Sequence, residues 1–156
     1  MSPEQFTAAD GTTLRVLHST ADDARIAVVF VHGYAMDHRI WHRFTDTIAD
    51  AVLVPIEVLA YDHRGHGESQ LGGPANANIG RLADDLAELL GHAVHAERVV
   101  LVGHAMGGLV VTELAKRRPA MFARRVAGLV FLATPTDLSS ETAQAVPMAA
   151  GRIVRE

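Results

Sequence analysis

The chain has 156 residues, of which 49% are hydrophobic and 21% are charged, and its formal net charge at pH 7 is -4. This composition is typical of one globular domain that is large enough to bury a core, and it argues against a nucleic-acid-binding surface, which would be basic. The sequence has no cysteine, which excludes disulfides and thiolate metal sites. The polar N-terminus resembles no signal peptide, and no apolar run approaches membrane-spanning length, so we expect no membrane association and a cytoplasmic location.

The N-terminal part of the chain predicts a hairpin and then a buried strand. Residues 5–7 and 14–17 have strand-like sequences, and Asp10-Gly11 between them favours the positive φ angles of a tight turn. Residues 26–31 are apolar without polar alternation, which is typical of a strand buried on both faces of a parallel sheet. We therefore expect a β-hairpin followed by the first strand of a parallel sheet.

A helix and a second buried strand are predicted next. Trp41, Phe44 and Ile48 recur at helical spacing, and Asp37 is placed to cap the N-terminus of that helix. We interpret Trp41 and Phe44 as core residues. Residues 54–61 predict the strand that follows.

The rest of the chain continues the alternation of helices and strands. An amphipathic helix is predicted over residues 79–91, and a strand over residues 99–102. A helix over residues 105–117, stopped by Pro119, and a strand over residues 126–132 complete the pattern. Repeated strands and helices without a linker or internal repeat predict an α/β domain with a parallel sheet and right-handed crossovers.

Three loops follow predicted strands and have the glycines and polar residues of a ligand site. They span residues 32–35, 62–69 and 103–108, at the carboxyl ends of their strands, where open α/β sheets bind ligands. The third loop reads Gly-His-Ala-Met-Gly-Gly and keeps both glycines of a GxSxG nucleophile elbow, with Ala105 where the serine would stand. That single position separates an enzyme from the framework of one.

In this order and spacing the three loops resemble the α/β-hydrolase superfamily, and in particular its esterases, thioesterases and lactonases, over essentially the whole chain. The resemblance implies a mostly parallel, doubly wound sheet of the α/β-hydrolase type, truncated after about the sixth strand, with an N-terminal β-hairpin. Residues 1–137 would form the N-terminal part of the core domain, and residues 138–156 the start of a cap or lid segment. The implied ligand is a small ester-like molecule, with no cofactor and no metal.

The resemblance also assigns roles to individual residues. The backbone amides of Tyr34 and Met106 would form the oxyanion hole beside Ala105, which occupies the nucleophile position, and Gly33, Tyr34 and His104 would contact the substrate. The side chains of Asp62, Arg64 and Ser69 look functional, but we favour the interpretation that they hold their loop together. The residues implied for the structural motif are His32, Asp62, Arg64, Gly65, Gly67, Ser69, Gly103 and Gly107.

The chain also departs from the family pattern. Catalytic residues of this family follow the order serine, acid, histidine, yet no histidine follows Ala105 in this sequence. We expect the acid and the histidine to lie beyond Glu156, with Asp137 as a minority candidate for the acid, and we expect the chain as written to be inactive. The predicted strand over residues 126–132 would expose an apolar edge, so we expect the C-terminal remainder of the fold or a partner chain to cover it.

Three explanations of Ala105 remain open. The alanine replaces the serine of a hydrolase so that the protein binds a substrate without turning it over, which we favour because the surrounding motif is intact. Alternatively, the chain is a natural non-catalytic member that binds a small ligand or a partner. In the third explanation a base and the oxyanion hole activate water or a substrate proton directly.

Histidines near these motifs have competing interpretations. His104 stands next to the nucleophile position, but neighbouring residues of an elbow point in different directions, so we favour a packing role. His38 and His42 have the i,i+4 spacing of zinc helices without the glutamate of the HExxH motif, so we expect them to face solvent.

Overall fold

The structure of the protein, a computed structural model, describes residues 1–73 and 78–134. The predicted domain boundary at residue 137, the cap segment over residues 138–156 and the minority candidate Asp137 lie outside the described residues.

Six strands form one mixed sheet with the N-terminal hairpin at one edge. In chain order they are β1 (Ser2–Thr7), β2 (Thr13–Ser19), β3 (Ile26–Val31), β4 (Ile56–Tyr61), β5 (Arg98–His104) and β6 (Val126–Leu132). Their spatial order is β1-β2-β4-β3-β5-β6. β1 and β2 are antiparallel to each other and β2 is antiparallel to β4, whereas β4, β3, β5 and β6 are parallel. The predicted fold class, a mostly parallel α/β sheet with an N-terminal hairpin, is confirmed.

Helices cover both faces of the sheet. They are a 3₁₀ turn (His38–Trp41), α1 (His42–Ala51), α2 (Ile79–His92), α3 (Met106–Arg117) and α4 (Pro119–Arg125). Asp37 is an N-cap, but of the 3₁₀ turn rather than of the helix for which it was predicted: its side chain accepts a hydrogen bond from the amide of Arg39, whereas the N-cap position of α1 is Trp41. Helix α4 was not predicted: Pro119 was expected only to stop the preceding helix, but it also starts a new one, since proline is well suited to the first helical position.

The core consists of two apolar layers, one on each face of the sheet. Alternate residues of β3 contribute to opposite layers, as the period of a strand requires. Helices α2 and α3 pack on one layer, and Trp41 lies in the other. Trp41 is 2% exposed, as expected of a core residue, but the prediction that Phe44 is buried is wrong, because its side chain is 55% exposed. Trp41 already fills the space over Phe30, and the Phe44 ring packs against Trp41 instead.

Strand β6 is the last strand of the sheet and carries large exposed apolar side chains. It pairs with β5 alone among the described strands. Leu129, Val130, Phe131 and Leu132 are each between 38 and 46% exposed, although they alternate between the two faces. Among the described residues, β6 therefore forms the exposed apolar edge that the sequence predicts. Within the same part of the chain, no helix is both long and apolar enough to cross a bilayer.

Candidate active site

A strained turn joins β5 to α3 and places Ala105 at its tip. Ala105 has φ +48° and ψ -113°, between the last residue of β5 and the first residue of α3. Its amide donates a hydrogen bond of 2.9 Å to the carbonyl of Leu132, and its carbonyl accepts one of 3.0 Å from the amide of Gly108. A residue with a Cβ in such a conformation costs on the order of 1–3 kcal/mol, and strain of this kind is concentrated at functional sites.

The glycines on either side of Ala105 allow the backbones to come into direct contact. A Cβ on Gly107 would overlap with the carbonyl oxygen of Val31 in β3. A Cβ on Gly103 would lie 2.8 Å from the Cα atom of Gly108. The first turn of α3 is thereby pressed against two parallel strands, and Met106, as its first residue, has no acceptor for its amide within the helix.

The loop after β3 packs directly against the tip of this turn. A Cβ built on Gly33 would lie 3.3 Å from the Cβ atom of Ala105 and 2.8 Å from Nδ1 of His104. The Gly33 carbonyl accepts a hydrogen bond of 3.3 Å from the amide of Met36, which closes a tight turn with Ala35 at φ +57°. The two segments that carry the predicted oxyanion-hole amides therefore touch each other beside Ala105. The assignment of those amides as an oxyanion hole stays a prediction.

The loop after β4 is organised around the carboxylate of Asp62, which is fully buried. Its Oδ1 accepts hydrogen bonds from the amide and Nδ1 of His38, at 2.7 and 2.8 Å, and its Oδ2 accepts one of 2.8 Å from the amide of Glu68. Burial alone would raise the pKa of Asp62, but the hydrogen bonds outweigh it, so the pKa lies below its ordinary value. Ser69 donates to the Asp62 carbonyl at 2.7 Å and accepts from the amide of Arg15 at 2.8 Å.

Three further residues of this loop have backbone conformations or contacts that fix its structure. Gly67 has φ +50°, and a Cβ at this position would overlap with the Asp62 carboxylate. Gly65 also has a positive φ, of +73°. The buried guanidinium group of Arg64 forms a salt bridge with Asp85 of α2. The two glycines therefore allow the loop its turns, and Arg64 connects the loop to α2.

The prediction that His38 faces solvent is wrong. Its side chain is buried, since Nδ1 pairs with Asp62, a residue 24 positions away that the sequence pattern does not connect to it. His42 is exposed, as expected.

Asp37, His38 and Asp62 lie close enough together to suggest a metal site. Each offers one possible ligand atom, and these three atoms lie within 4.8 Å of one another. The hydrogen bond between His38 and Asp62 and the salt bridge between Asp37 and Arg39 already account for these positions, so the cluster carries no metal assignment.

A cluster of three buried histidines lies between the loops after β3 and β4, and sequence reasoning did not identify two of its members, His63 and His66. The ring of His32 lies 4.4 Å from that of His63 and 5.3 Å from that of His66, and His66 lies 5.8 Å from the ring of Tyr34. Burial lowers the pKa of all three imidazoles, that of His32 to about 4. The cluster is therefore neutral at pH 7. The Asp-His-Arg-Gly-His-Gly sequence places both missed histidines in a glycine-containing loop, which was the available signal.

His104 is partly buried and lies between Gly33 and Trp41. Its ring meets that of Trp41 edge to face, with centroids 6.4 Å apart. Its Nδ1 atom is buried and has no hydrogen-bond partner within the described part of the chain. These contacts agree with a packing position next to the turn, and they leave contact with a substrate as a prediction.

Comparison with known proteins identifies relatives along most of the chain. The model of the serine aminopeptidase S33 family matches residues 22–156. Epoxide hydrolase A of Mycobacterium tuberculosis is 35% identical over 133 residues, which cover 85% of this chain and 38% of that protein. A putative carbamate hydrolase, RutD, of Agrobacterium fabrum is 27% identical over 110 residues, or 70% of this chain and 40% of that protein. The chain thus spans about two fifths of the length of these curated relatives.

The solved structures that match this chain include hydrolases. A hydrolase from Pseudomonas aeruginosa has a TM-score of 0.73 and 26% identity, and the match covers 91% of this chain and 49% of that one. A thermophilic esterase from Thermogutta terrifontis has a TM-score of 0.70 and 29% identity, and the match covers 92% of this chain and 50% of that one. The similarity therefore extends over nearly all of this chain and about half of each solved structure.

Proposed function

The chain belongs to the α/β-hydrolase superfamily, which it joins through the serine aminopeptidase S33 family, and on this premise we propose that it carries part of the site of a carboxyl-ester or thioester hydrolase for small acyl substrates. The observation that supports this most directly is the contact between Gly33 and Ala105 at the strained turn. We further propose that the chain as written binds such a substrate without cleaving it, because Ala105 supplies no nucleophilic atom.

The proposed chemistry divides between a side chain and two amides. With serine at position 105, its Oγ would attack the acyl carbonyl carbon while a histidine accepted the hydroxyl proton, and the carbonyl oxygen would become an oxyanion. The amides of Tyr34 and Met106 would donate hydrogen bonds to that oxyanion, and each such donor contributes about 3–4 kcal/mol in comparable sites. The methyl group of Ala105 removes the attack but leaves both amides in place.

The second candidate function is binding without catalysis, as an α/β-hydrolase member that holds a small ligand or a partner. The observation in its favour is Ala105 itself. Both candidates predict a ligand at the same place, so they differ only in what happens when a hydroxyl group is introduced there.

The deciding experiment is Ala105→Ser in the full-length protein, assayed with short and long p-nitrophenyl esters for a burst of acyl-enzyme. Ala133→Ser is the matched control, since Ala133 has the same φ of +48° at the end of the neighbouring strand β6. We expect a burst from Ala105→Ser and none from Ala133→Ser. Tight binding of an ester without any burst would favour the binding function instead.

Parallel assays with an epoxide and a carbamate test the substrate class. Relatives of this chain include proteins named epoxide hydrolase and carbamate hydrolase, so these compounds are the informative alternatives. Turnover of either one without turnover of esters would contradict the proposal of an acyl substrate. The cytoplasmic location also stays a prediction, which fractionation of cells that produce the full-length protein would test.

A further inference from the structure

The hydrogen bonds of His32 define which of its ring nitrogens carries the proton. Nδ1 lies 2.7 Å from the carbonyl oxygen of Gly33, and because a carbonyl can only accept, Nδ1 must donate. Nε2 lies 2.9 Å from the amide nitrogen of His63, which can only donate, so Nε2 must accept. His32 is therefore a neutral imidazole with its proton on Nδ1.

The Gly33 carbonyl, which accepts the hydrogen bond from Nδ1, belongs to the peptide group between Gly33 and Tyr34. In a planar trans peptide the C=O and N–H bonds point in opposite directions, so a bond that fixes the Gly33 carbonyl also fixes the Tyr34 amide. The Met36 amide donates to the same carbonyl at the longer distance of 3.3 Å. His32 thus provides the shorter of two hydrogen bonds that orient this peptide.

His32 is itself fixed in place by His63, which lies in the loop after β4. His63 donates both hydrogen bonds between these residues: its amide donates to Nε2 of His32 at 2.9 Å, and its ring Nε2 donates to the backbone carbonyl of His32 at 3.1 Å. Both side chains are fully buried. These two bonds connect the loop after β3 to the loop after β4 at the edge of the sheet where Ala105 lies.

We propose that His32 is a positioning residue for the oxyanion hole: its Nδ1–H holds the Gly33–Tyr34 peptide so that the Tyr34 amide is fixed beside position 105. The inference rests on the proposed function for the identity of the group that the amide binds, but the orientation of the peptide does not. Protonation of Nε2 would turn an N–H group towards the His63 amide, which is also a donor, so the arrangement requires neutral His32. Burial lowers the pKa of His32 to about 4 and so keeps it neutral at pH 7.

Two substitutions separate the two hydrogen bonds of the ring. His32→Asn places an amide N–H where Nδ1 lies and so keeps the bond to the Gly33 carbonyl, but it loses the acceptor for His63. His32→Gln places an amide oxygen where Nε2 lies, so it keeps that acceptor and loses the bond to Gly33. Urea unfolding of both variants reports the loss of stability that a merely structural role would cause.

The direct readout is hydrogen exchange of the Met36 amide, which donates to the carbonyl of the same Gly33–Tyr34 peptide, followed by NMR in the full chain. We expect exchange at this amide to accelerate by at least about tenfold in His32→Gln, and by less than about threefold in His32→Asn, after correction for global stability. Equal acceleration in the two variants, or none beyond the change in global stability, would overturn the proposal.

The second readout uses the full-length Ala105→Ser protein with an ester substrate. Added to this background, His32→Gln is expected to lower kcat by roughly tenfold to a hundredfold with little change in KM, since a displaced donor weakens binding of the oxyanion more than of the substrate. His32→Asn should retain most of kcat. A protein that hydrolyses no ester would end the proposed function, and hydrogen exchange of the Met36 amide would then decide the positioning role alone.

Discussion

The guanidinium group of Arg64 donates hydrogen bonds of 2.6 Å from both Nε and Nη2 to the carboxylate of Asp85, and both side chains are buried. Arg64 also donates at 3.0 Å from Nη1 to Asp10 in the hairpin turn. Its hydrogen bond and charge hold the pKa of Asp10 well below its usual range. One side chain thereby connects the loop after β4 to helix α2 and to the N-terminal hairpin.

Asp85→Asn is expected to destabilise the protein by about 3–5 kcal/mol, because it leaves a buried charge short of its main partner. Asp84→Asn is the matched control on the same helix. Asp84 pairs with Arg117 and Arg118, whose side chains are 43 and 56% exposed, so its loss should cost at most about 1 kcal/mol. Urea unfolding measures both, and similar values for the two variants would contradict the importance assigned to Arg64.

Gly107→Ala tests the direct contact between α3 and β3. The added Cβ would overlap with the backbone carbonyl of Val31, which cannot move without displacing the strand, so we expect a loss of more than about 3 kcal/mol or a failure to fold. Gly91→Ala provides the control, since a Cβ there meets nothing within 4 Å and the residue is helical. That change should be neutral or stabilise by about 0.5–1 kcal/mol. Thermal unfolding of the two variants gives the comparison.

Ala105→Gly tests whether the turn at position 105 is strained. Relief of the positive φ outweighs the greater entropy of an unfolded glycine, so we expect a gain of about 1 kcal/mol. Ala87→Gly, in the middle of α2, should instead lose about 1 kcal/mol. A loss of the same size at both positions, measured by urea unfolding, would mean that the turn carries no strain.

Much of the fold follows from local patterns, whereas the surroundings of the site depend on pairing across the sheet. The strands β3 and β6 begin and end where the sequence predicts, because unbroken apolar runs are local signals. The register of β3 on β4 pairs Val31 with Tyr61, and this alone brings the residues after each strand side by side. No periodicity in the sequence encodes that register, so the contacts of His32 with His63 could not be predicted.

The predictions of which individual side chains are buried fail for a related reason. Helical spacing gives one apolar face but does not say how wide the surface beneath it is, and Trp41 alone fills the space that Phe44 was expected to share. His38 is buried by a partner that belongs to a different loop. In both cases the missing information is a tertiary contact rather than a propensity.

The exposed strand β6 predicts self-association of the chain. Among the described strands β6 has a neighbour on one side only, and an edge strand with large apolar side chains can pair with a second copy. Phe131→Lys should shift sedimentation towards the monomer, whereas Leu53→Lys, which alters a fully exposed residue outside the sheet, should have no effect. Monomeric behaviour of the unsubstituted chain at all concentrations would contradict this. Whether the remainder of the fold or a partner chain covers β6 stays a prediction.

The buried histidines predict that stability falls on acidification. The pKa of His32 is lowered from 6.5 to about 4 in the folded protein, mainly by burial, and those of His63 and His66 are lowered in the same direction for the same reason. Between these values the unfolded chain binds more protons than the folded one, so the stabilisation is complete above about pH 6.5 and is lost as the pH falls towards 4. For His32 alone the loss amounts to about 3 kcal/mol.

Urea unfolding from pH 7 to 4.5 measures this dependence, and His32→Asn assigns the contribution of one histidine. Because asparagine does not titrate, the free energy of unfolding of the variant should fall less steeply with decreasing pH. The difference in slope corresponds to at most one proton, or about 1.4 kcal/mol per pH unit. An unchanged slope in His32→Asn would mean that His32 titrates alike in the folded and unfolded chains, which would contradict the lowered pKa of the buried imidazole.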